Sequence, residues 1–288
     1  ASGDYNVVYV GRSEVLPLPA MRLNDQTAFA VADDGELTLR DHWLAPTNAL
    51  TDSVAQALDA AISQQTVRGG RLLASLGIRY LVVPIIDGAA STVDQPLEAP
   101  IGLLEGLSLQ LDFRRVYTAN DLVIFENMAY TPSLTKLDEA SAVLSQQAGT
   151  DALLSSQLQV AQVLARMGDI ASRPTPVEVG TIHLATPFSD HLVLHVDDSD
   201  VIPRVAFGGT TAFDSPVAGT ATLDFMTPWN HVVLLLAQFM LWVLVISATF
   251  NLKRIKSRIG VRRKVPVVFG ESSDSVLTFN KQDGAGSQ

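Results

Sequence analysis

Apolar positions along this chain follow patterns that change with position, and each pattern predicts a different element. Tyr5–Val10 (YNVVYV) is a short β-rich run closed by Gly11 and followed by a loop bearing Pro17 and Pro19. Phe29–Val31 and Leu37–Leu39 flank Asp33-Asp34-Gly35, a turn signal that predicts a hairpin. Thr51 or Asp52 can cap a helix whose apolar positions Val54, Ala57, Leu58, Ala61 and Ile62 recur at helical spacing. A second short helix, Arg71–Leu76, should stop at Gly77, and Ile78–Pro84 (IRYLVVP) reads as a buried strand. Residues 87–100, rich in Gly, Pro, Ser and acidic side chains, read as a surface loop. Leu103–Leu111 reads as a helix that feeds a hairpin, Phe113–Tyr117 and Leu122–Phe125, across Asn120-Asp121. This succession predicts a small α/β domain over residues 1–135.

Two helical stretches, Asp138–Ala148 and Asp151–Met167, follow as a connector over 136–175. In the second, Ser155, Gln159, Gln162 and Arg166 form a polar stripe opposite Leu153, Val160, Leu164 and Met167. From Val177 the period becomes two. Val177–Ala185, His191–Val196, Arg204–Phe207 and Thr220–Phe225 predict strands, with turns at 187–190, 197–200 and 216–219. They amount to an antiparallel, sandwich-like β module over 176–228. The class expected for the whole is α+β.

His231–Phe250 (HVVLLLAQFMLWVLVISATF) is apolar on every face, and its 20 residues cover about 30 Å as a helix, the thickness of a bilayer's hydrocarbon core. A core helix of a soluble domain is the competing reading, but such helices rarely lack a polar face over five turns and then run into a basic cluster. A transmembrane helix is therefore expected over 229–251, with the lipid bilayer as partner. Trp229 stands at its start as an interfacial aromatic and Trp242 within it as a second anchoring residue. Lys253, Arg254, Lys256 and Arg258 begin the basic cluster, whereas Val205–Pro228 contains no Lys or Arg. The positive-inside rule places the C-terminus in the cytoplasm and the N-terminal region outside the cell membrane. A basic, largely disordered tail is expected over 252–288. An outer N-terminal region needs an export signal ahead of it, and residues 1–11 do not resemble one. Two expectations stand: a signal peptide removed from a single-span protein, or the C-terminal piece of a longer membrane protein.

Charge sharpens this division. Residues 1–250 carry 12 Lys or Arg against 27 Asp or Glu, and residues 251–288 carry 8 against 3. A net charge of −10 argues against a nucleic-acid partner, which needs a basic face. At 47% hydrophobic and 17% charged, the chain can build a core. With no cysteine it has no disulfides, thiolate metal sites or cysteine nucleophile.

Candidate chemistry is sparse. His191 and His195 are the one close histidine pair, but on a strand they stand about 13 Å apart, too far for one metal. Asp198-Ser199-Asp200 matches the D-x-D pattern that holds a divalent cation in nucleotide-sugar transferases, but a hairpin tip also selects Asp. No Walker, dinucleotide or G-x-S-x-G spacing occurs, and no cofactor is expected. Arg114 and Arg115 point to opposite faces of a strand, which prevents a joint anion clamp. Phe113, Tyr117, Phe125, Tyr130 and Trp43 offer either core aromatics or a sugar-stacking surface. Tyr130, His191 and His195 are the candidate substrate-binding residues; no catalytic residue or metal ligand is assigned.

LLASLGIRYLVVP (72–84), LQLDFRRVYTANDLVIFEN (109–127) and the proline of Tyr130-Thr131-Pro132 together resemble the late extracytoplasmic region of large actinobacterial membrane glycosyltransferases. Those proteins join a cytoplasmic family 2 glycosyltransferase domain to a polytopic region resembling GT-C enzymes. The opening YNVVYVGRSEVLPLP, and the stretch from PFSDHLVLHVDD through RVAFGGTTAFDSPVAGTATLDFMTP to the final apolar span, are similar to the same region. Two departures occur: Leu192 stands near the place of a usual Trp, and Asp197–Asp200 lacks a usual Gly. The resemblance implies a non-catalytic C-terminal portion of an enzyme of cell-envelope polysaccharide biosynthesis, which positions an acceptor glycan or a lipid-linked sugar. Its catalytic residues would lie upstream. A single-span surface protein with a binding or scaffolding ectodomain is the alternative.

Overall fold

The computed structural model describes residues 5–33, 42–43, 47–86, 98–118, 121–164, 170–171, 173–226 and 229–259. It has an α+β fold that divides into two compact units, 1–227 and 228–288.

The first unit opens with β1 (Asn6–Gly11), β2 (Met21–Arg22) and β3 (Ala28–Asp33). β3 pairs antiparallel with both β1 and β2, while the proposed partner segment Leu37–Leu39 lies outside the described residues. Helix α1 (Ala49–Ile62) follows, and its cap is Asn48 instead of Thr51 or Asp52. Asn48 Oδ1 accepts from the Thr51 amide and Thr51 Oγ1 accepts from the Asn48 amide, a reciprocal pair that satisfies two free helix-end donors. Leu50, Val54, Ala57, Leu58 and Ala61 form its buried stripe.

The expected helix at 71–76 divides into a short α2 (Gly69–Leu72) and a 3₁₀ turn (Ala74–Leu76), which stops at Gly77 with φ +64°. β4 (Ile78–Pro84), α3 (Leu103–Ser108), β5 (Phe113–Thr118) and β6 (Leu122–Asn127) complete the first half. The resulting six-stranded sheet has the order β2-β3-β1-β4-β6-β5, antiparallel except for β1 against β4. Its helix-covered face buries Val8, Val10, Phe29, Leu81, Val83, Val123 and Phe125 against Leu58, Leu72, Leu103 and Leu107. Phe113 and Phe125 are therefore core residues, whereas Tyr117 and Trp43 are exposed.

β7 (Leu134–Lys136), α4 (Glu139–Leu144) and α5 (Thr150–Ser155) come next. The long helix expected from Asp151 to Met167 is not formed over its described length. After Ser155 the chain makes a 3₁₀ turn at Leu158–Val160 and a two-residue strand β8 (Gln162–Val163), which pairs with β7. Tertiary pairing overrides the helical spacing there.

The remaining strands are β9 (Thr175–Val177), β10 (Gly180–Pro187), β11 (Leu192–Val196), β12 (Ser199–Val201), β13 (Pro203–Ala206), β14 (Thr210–Ser215) and β15 (Gly219–Phe225). They form two sheets, β13-β14-β10-β7-β8 and β12-β11-β15-β9. Ile182, Leu184 and Phe213 of the first sheet meet Leu194, Val196 and Leu223 of the second in one core, a sandwich arrangement. Residues 134–136 thus serve the second half of the unit although they follow β6 directly. Phe207 and Ala212 also join the core of α1.

In the second unit, α6 (Trp229–Ile259) is a single 31-residue helix. Its window His231–Ala248 has a mean hydropathy of 2.2 and no buried residue, long and apolar enough to cross a membrane. The backbone helix runs through Lys253, Arg254, Lys256 and Arg258, so positions 252–259 are helical where a disordered tail was expected. Residues 260–288 lie outside the described residues.

Candidate functional site: a tyrosine–arginine platform

The side of the six-stranded sheet opposite its helices carries a group of polar and aromatic side chains around Tyr130. It arises from an irregularity in β4. Asn6 aligns with Ile78 but Val7 aligns with Tyr80, so Arg79 is an extra residue in the ladder. Such a bulge changes the direction of side chains. Ile78 and Leu81 are fully buried, while both residues between them, Arg79 and Tyr80, remain partly exposed.

Three tyrosine rings surround the Arg79 guanidinium. Its carbon lies 5.6 Å from the centre of Tyr5, 5.2 Å from Tyr80 and 5.6 Å from Tyr130. Tyr5 meets Tyr80 edge to face at 5.4 Å. These are cation–π distances, and Arg suits them because its flat guanidinium is weakly hydrated. Tyr80, in the segment that reads as a buried strand, is therefore part of the same cluster as Tyr130.

Glu126 links the cluster to the sheet edge. Its Oε1 is 3.4 Å from Arg79 Nη2, and its Oε2 accepts from Arg114 Nη2 at 2.5 Å. The Arg114 hydrogen bond, with help from Arg79 and against the opposing effect of partial burial, holds Glu126 below the usual carboxylate range. Arg115 instead donates to Ser108 Oγ at 2.7 Å and lies over the Phe125 ring, so the two consecutive arginines have separate partners. Two guanidinium groups, one carboxylate and three phenol rings provide stacking faces and hydrogen-bonding groups within one surface.

His191 and His195 belong elsewhere, to the four-stranded sheet. His191 precedes β11, with Nε2 3.6 Å from Asp190 and its ring edge-on to Phe225 at 5.8 Å. His195 lies between two carboxylates, with Nδ1 2.6 Å from Asp200 and Nε2 3.4 Å from Asp224. Among the described residues, no group of three or more His, Asp or Glu side chains is placed to hold a metal ion. The acidic turn has a local function: Asp197 has φ +48°, and its Oδ1 accepts the Thr220 amide at 2.9 Å. Gly219 leaves room for it, since a Cβ there would overlap the Asp197 carboxylate and push that side chain aside.

One histidine that carried no signal in the sequence is structurally distinctive. His183 of β10 is fully buried, and burial, reinforced by the charge of Arg204, pushes its pKa down to about 3. Its Nε2 is 3.0 Å from Thr210 Oγ1, whose single proton is donated to the Ala206 carbonyl at 2.9 Å. Nε2 must therefore be the protonated nitrogen. Nδ1 has no partner among the described residues.

Comparison of the chain with protein-family models, with curated proteins and with solved structures finds no match.

Proposed function

We propose that this chain is the C-terminal, non-catalytic portion of a membrane glycosyltransferase of cell-envelope polysaccharide synthesis, and that its outer unit positions an acceptor glycan or its lipid carrier. The observation that carries the reading is the Arg79 platform, found in a chain that also contains a bilayer-length apolar helix. Tyrosine rings stack against the apolar C–H face of a pyranose, while Arg79, Arg114 and Glu126 supply donors and acceptors for its hydroxyls. Tyr130 retains the role expected of it, with Arg79, Tyr80 and Tyr5 added. His191 and His195, partnered within their own sheet, are assigned no part in this surface.

In this reading α6 crosses the membrane with Trp229 at the outer interface. Trp242, about 20 Å further along the helix, then falls within the hydrocarbon, and Lys253 begins the cytoplasmic cations beyond a core of about 30 Å. The excess of Lys and Arg after Phe250 supports a cytoplasmic C-terminus.

Titration of the full chain in nanodiscs with envelope polysaccharide fragments tests the platform. Arg79→Ala and Tyr130→Ala should each weaken binding at least tenfold, and His191→Ala should leave it unchanged. Unaltered binding in folded Arg79→Ala and Tyr130→Ala proteins would remove the platform from the function. For the orientation, protease added outside spheroplasts should digest the N-terminal unit and spare a tag at Gln288; the reverse pattern would overturn it.

A further inference from the structure

A second surface lies on the helix side of the unit, where α1, the start of α5 and the β13–β14 turn enclose an open cleft of about 450 Å³. That volume is within the range of about 300–1,000 Å³ common for small-molecule sites. Its floor is apolar and buried: Leu72, Leu153 and Phe207. Its rim is polar and exposed: Asp52 and Gln56, one helical turn apart on α1, and Thr150 at the start of α5. None of these three side chains has a hydrogen-bond partner among the described residues, whereas Asn48 Oδ1 and Thr51 Oγ1 beside them are engaged in the cap.

The turn that supplies Phe207 is unusual for its sequence. Gly209 donates to the Ala206 carbonyl at 3.0 Å, and both central residues have positive φ, Phe207 at +49° and Gly208 at +82°. Turns of this geometry select Asn, Asp or Gly at the first central position, because a bulky side chain is strained there. Here the strained position is occupied by a phenylalanine, which lines the cleft and meets the buried His183 edge-on at 5.7 Å. Hairpin closure alone would be served better by asparagine. Core packing of the Phe207 ring and donation of its amide to the Ser145 carbonyl at 2.9 Å hold the turn in this geometry and leave the edge of the ring at the floor of the cleft.

We infer that this cleft binds a neutral glycosyl unit, with its hydroxyls on Asp52, Gln56 and Thr150 and ring C–H groups against the edges that Leu153 and Phe207 expose at the floor. No Lys, Arg or His is among the residues that line it, and its one charged group is the Asp52 carboxylate. A phosphate or uronate would meet repulsion with no compensating cation, whereas a hydroxyl can donate to Asp52 in a charge-assisted hydrogen bond. This site is distinct from the Arg79 platform and stands whether or not the platform binds glycan.

The test is saturation-transfer NMR on the full chain in phosphatidylcholine nanodiscs. The probes are methyl α-D-mannopyranoside and methyl β-D-galactopyranoside, with methyl β-D-glucuronide and glucose 1-phosphate as charged counterparts. At least one neutral glycoside should receive saturation on its ring protons, at least fivefold more strongly than either charged probe. Asp52→Ala/Gln56→Ala, at two exposed positions of α1, should reduce that transfer at least fivefold without lowering the melting temperature. Thr150→Trp should abolish it by filling the cleft, which keeps the inference testable if the double variant does not fold. All of these measurements are made in an Arg79→Ala background, which silences the platform, so that failure of the platform and failure of the cleft are separable. No transfer to either neutral glycoside, transfer that survives in the folded variants, or charged probes that bind equally well would each overturn the inference.

Discussion

Replacing His183 with glutamine should flatten the dependence of stability on pH in the mildly acidic range. Glutamine can still donate towards Thr210 Oγ1 but has no proton to gain. In the folded protein the imidazole is held neutral down to about 3, because burial, and then Arg204, disfavour its charged form; the unfolded chain titrates near 6.5. The folded pKa is the lower one, so the unfolded state takes up the proton first as pH falls. The stabilisation is complete above the unfolded pKa and is lost progressively as pH falls towards about 3. Between pH 7.5 and pH 5.0 a group of this kind removes about 2 kcal/mol, and these values stay above the range where the carboxylates titrate. Urea unfolding of the full chain followed by near-ultraviolet circular dichroism, repeated across that range, measures the effect. Wild type should lose about 2 kcal/mol more than His183→Gln over this interval. The four other histidines are common to both proteins and cancel in the difference. Equal slopes would show that His183 takes up a proton while folded, and the argument from burial would fail.

Two further outcomes follow from the packing. Gly70→Ala should destabilise the first unit by about 2 kcal/mol or more in the same unfolding assay, because a Cβ there overlaps Asn127 Oδ1 and Asp112 Cβ, and Asn127 is held by bonds to the Gly70 and Ile78 carbonyls. Leu241→Lys, in the middle of the apolar window of α6, should release a large share of the protein from membranes on carbonate extraction, since a charge at the centre of a spanning helix costs about 3 kcal/mol. Full retention would count against a spanning role for this helix.

The parts of the fold that could be read in the sequence are those where one local signal dominates. The apolar run from His231 had no competing interpretation of equal strength, and Ile78–Pro84 was plain from its branched and aromatic residues. The strand Thr210–Ser215 was missed because five of its six residues are buried, so it lacks the alternation of a half-exposed strand. The helix expected after Asp151 failed beyond Ser155 because β7 offered Gln162 and Val163 a partner, which helical spacing cannot reveal. Site residues were harder still. Tyr130 was visible as an aromatic, but its association with Arg79 depends on a one-residue bulge that has no sequence signature. Phe207 occupies a turn position that favours Asn or Gly, so the residue that lines the cleft also concealed the turn. His183 lay in an apolar strand without any neighbouring pattern to mark it.

The place of β7 bears on how the chain comes to be folded at all. It lies between β10 and β8 in the sandwich, and Phe207 and Ala212 complete the core around α1. Neither half can close without residues synthesised long before or long after its own, a topology of high contact order that slows folding. A nascent chain that has emerged only as far as β9 has an unfinished α1 core and an unpaired β7 edge. It must be kept from pairing with other chains until the final hairpins arrive. α6 follows β15 almost at once in the sequence, so under the proposed spanning role its insertion and the closure of the first unit would compete in time.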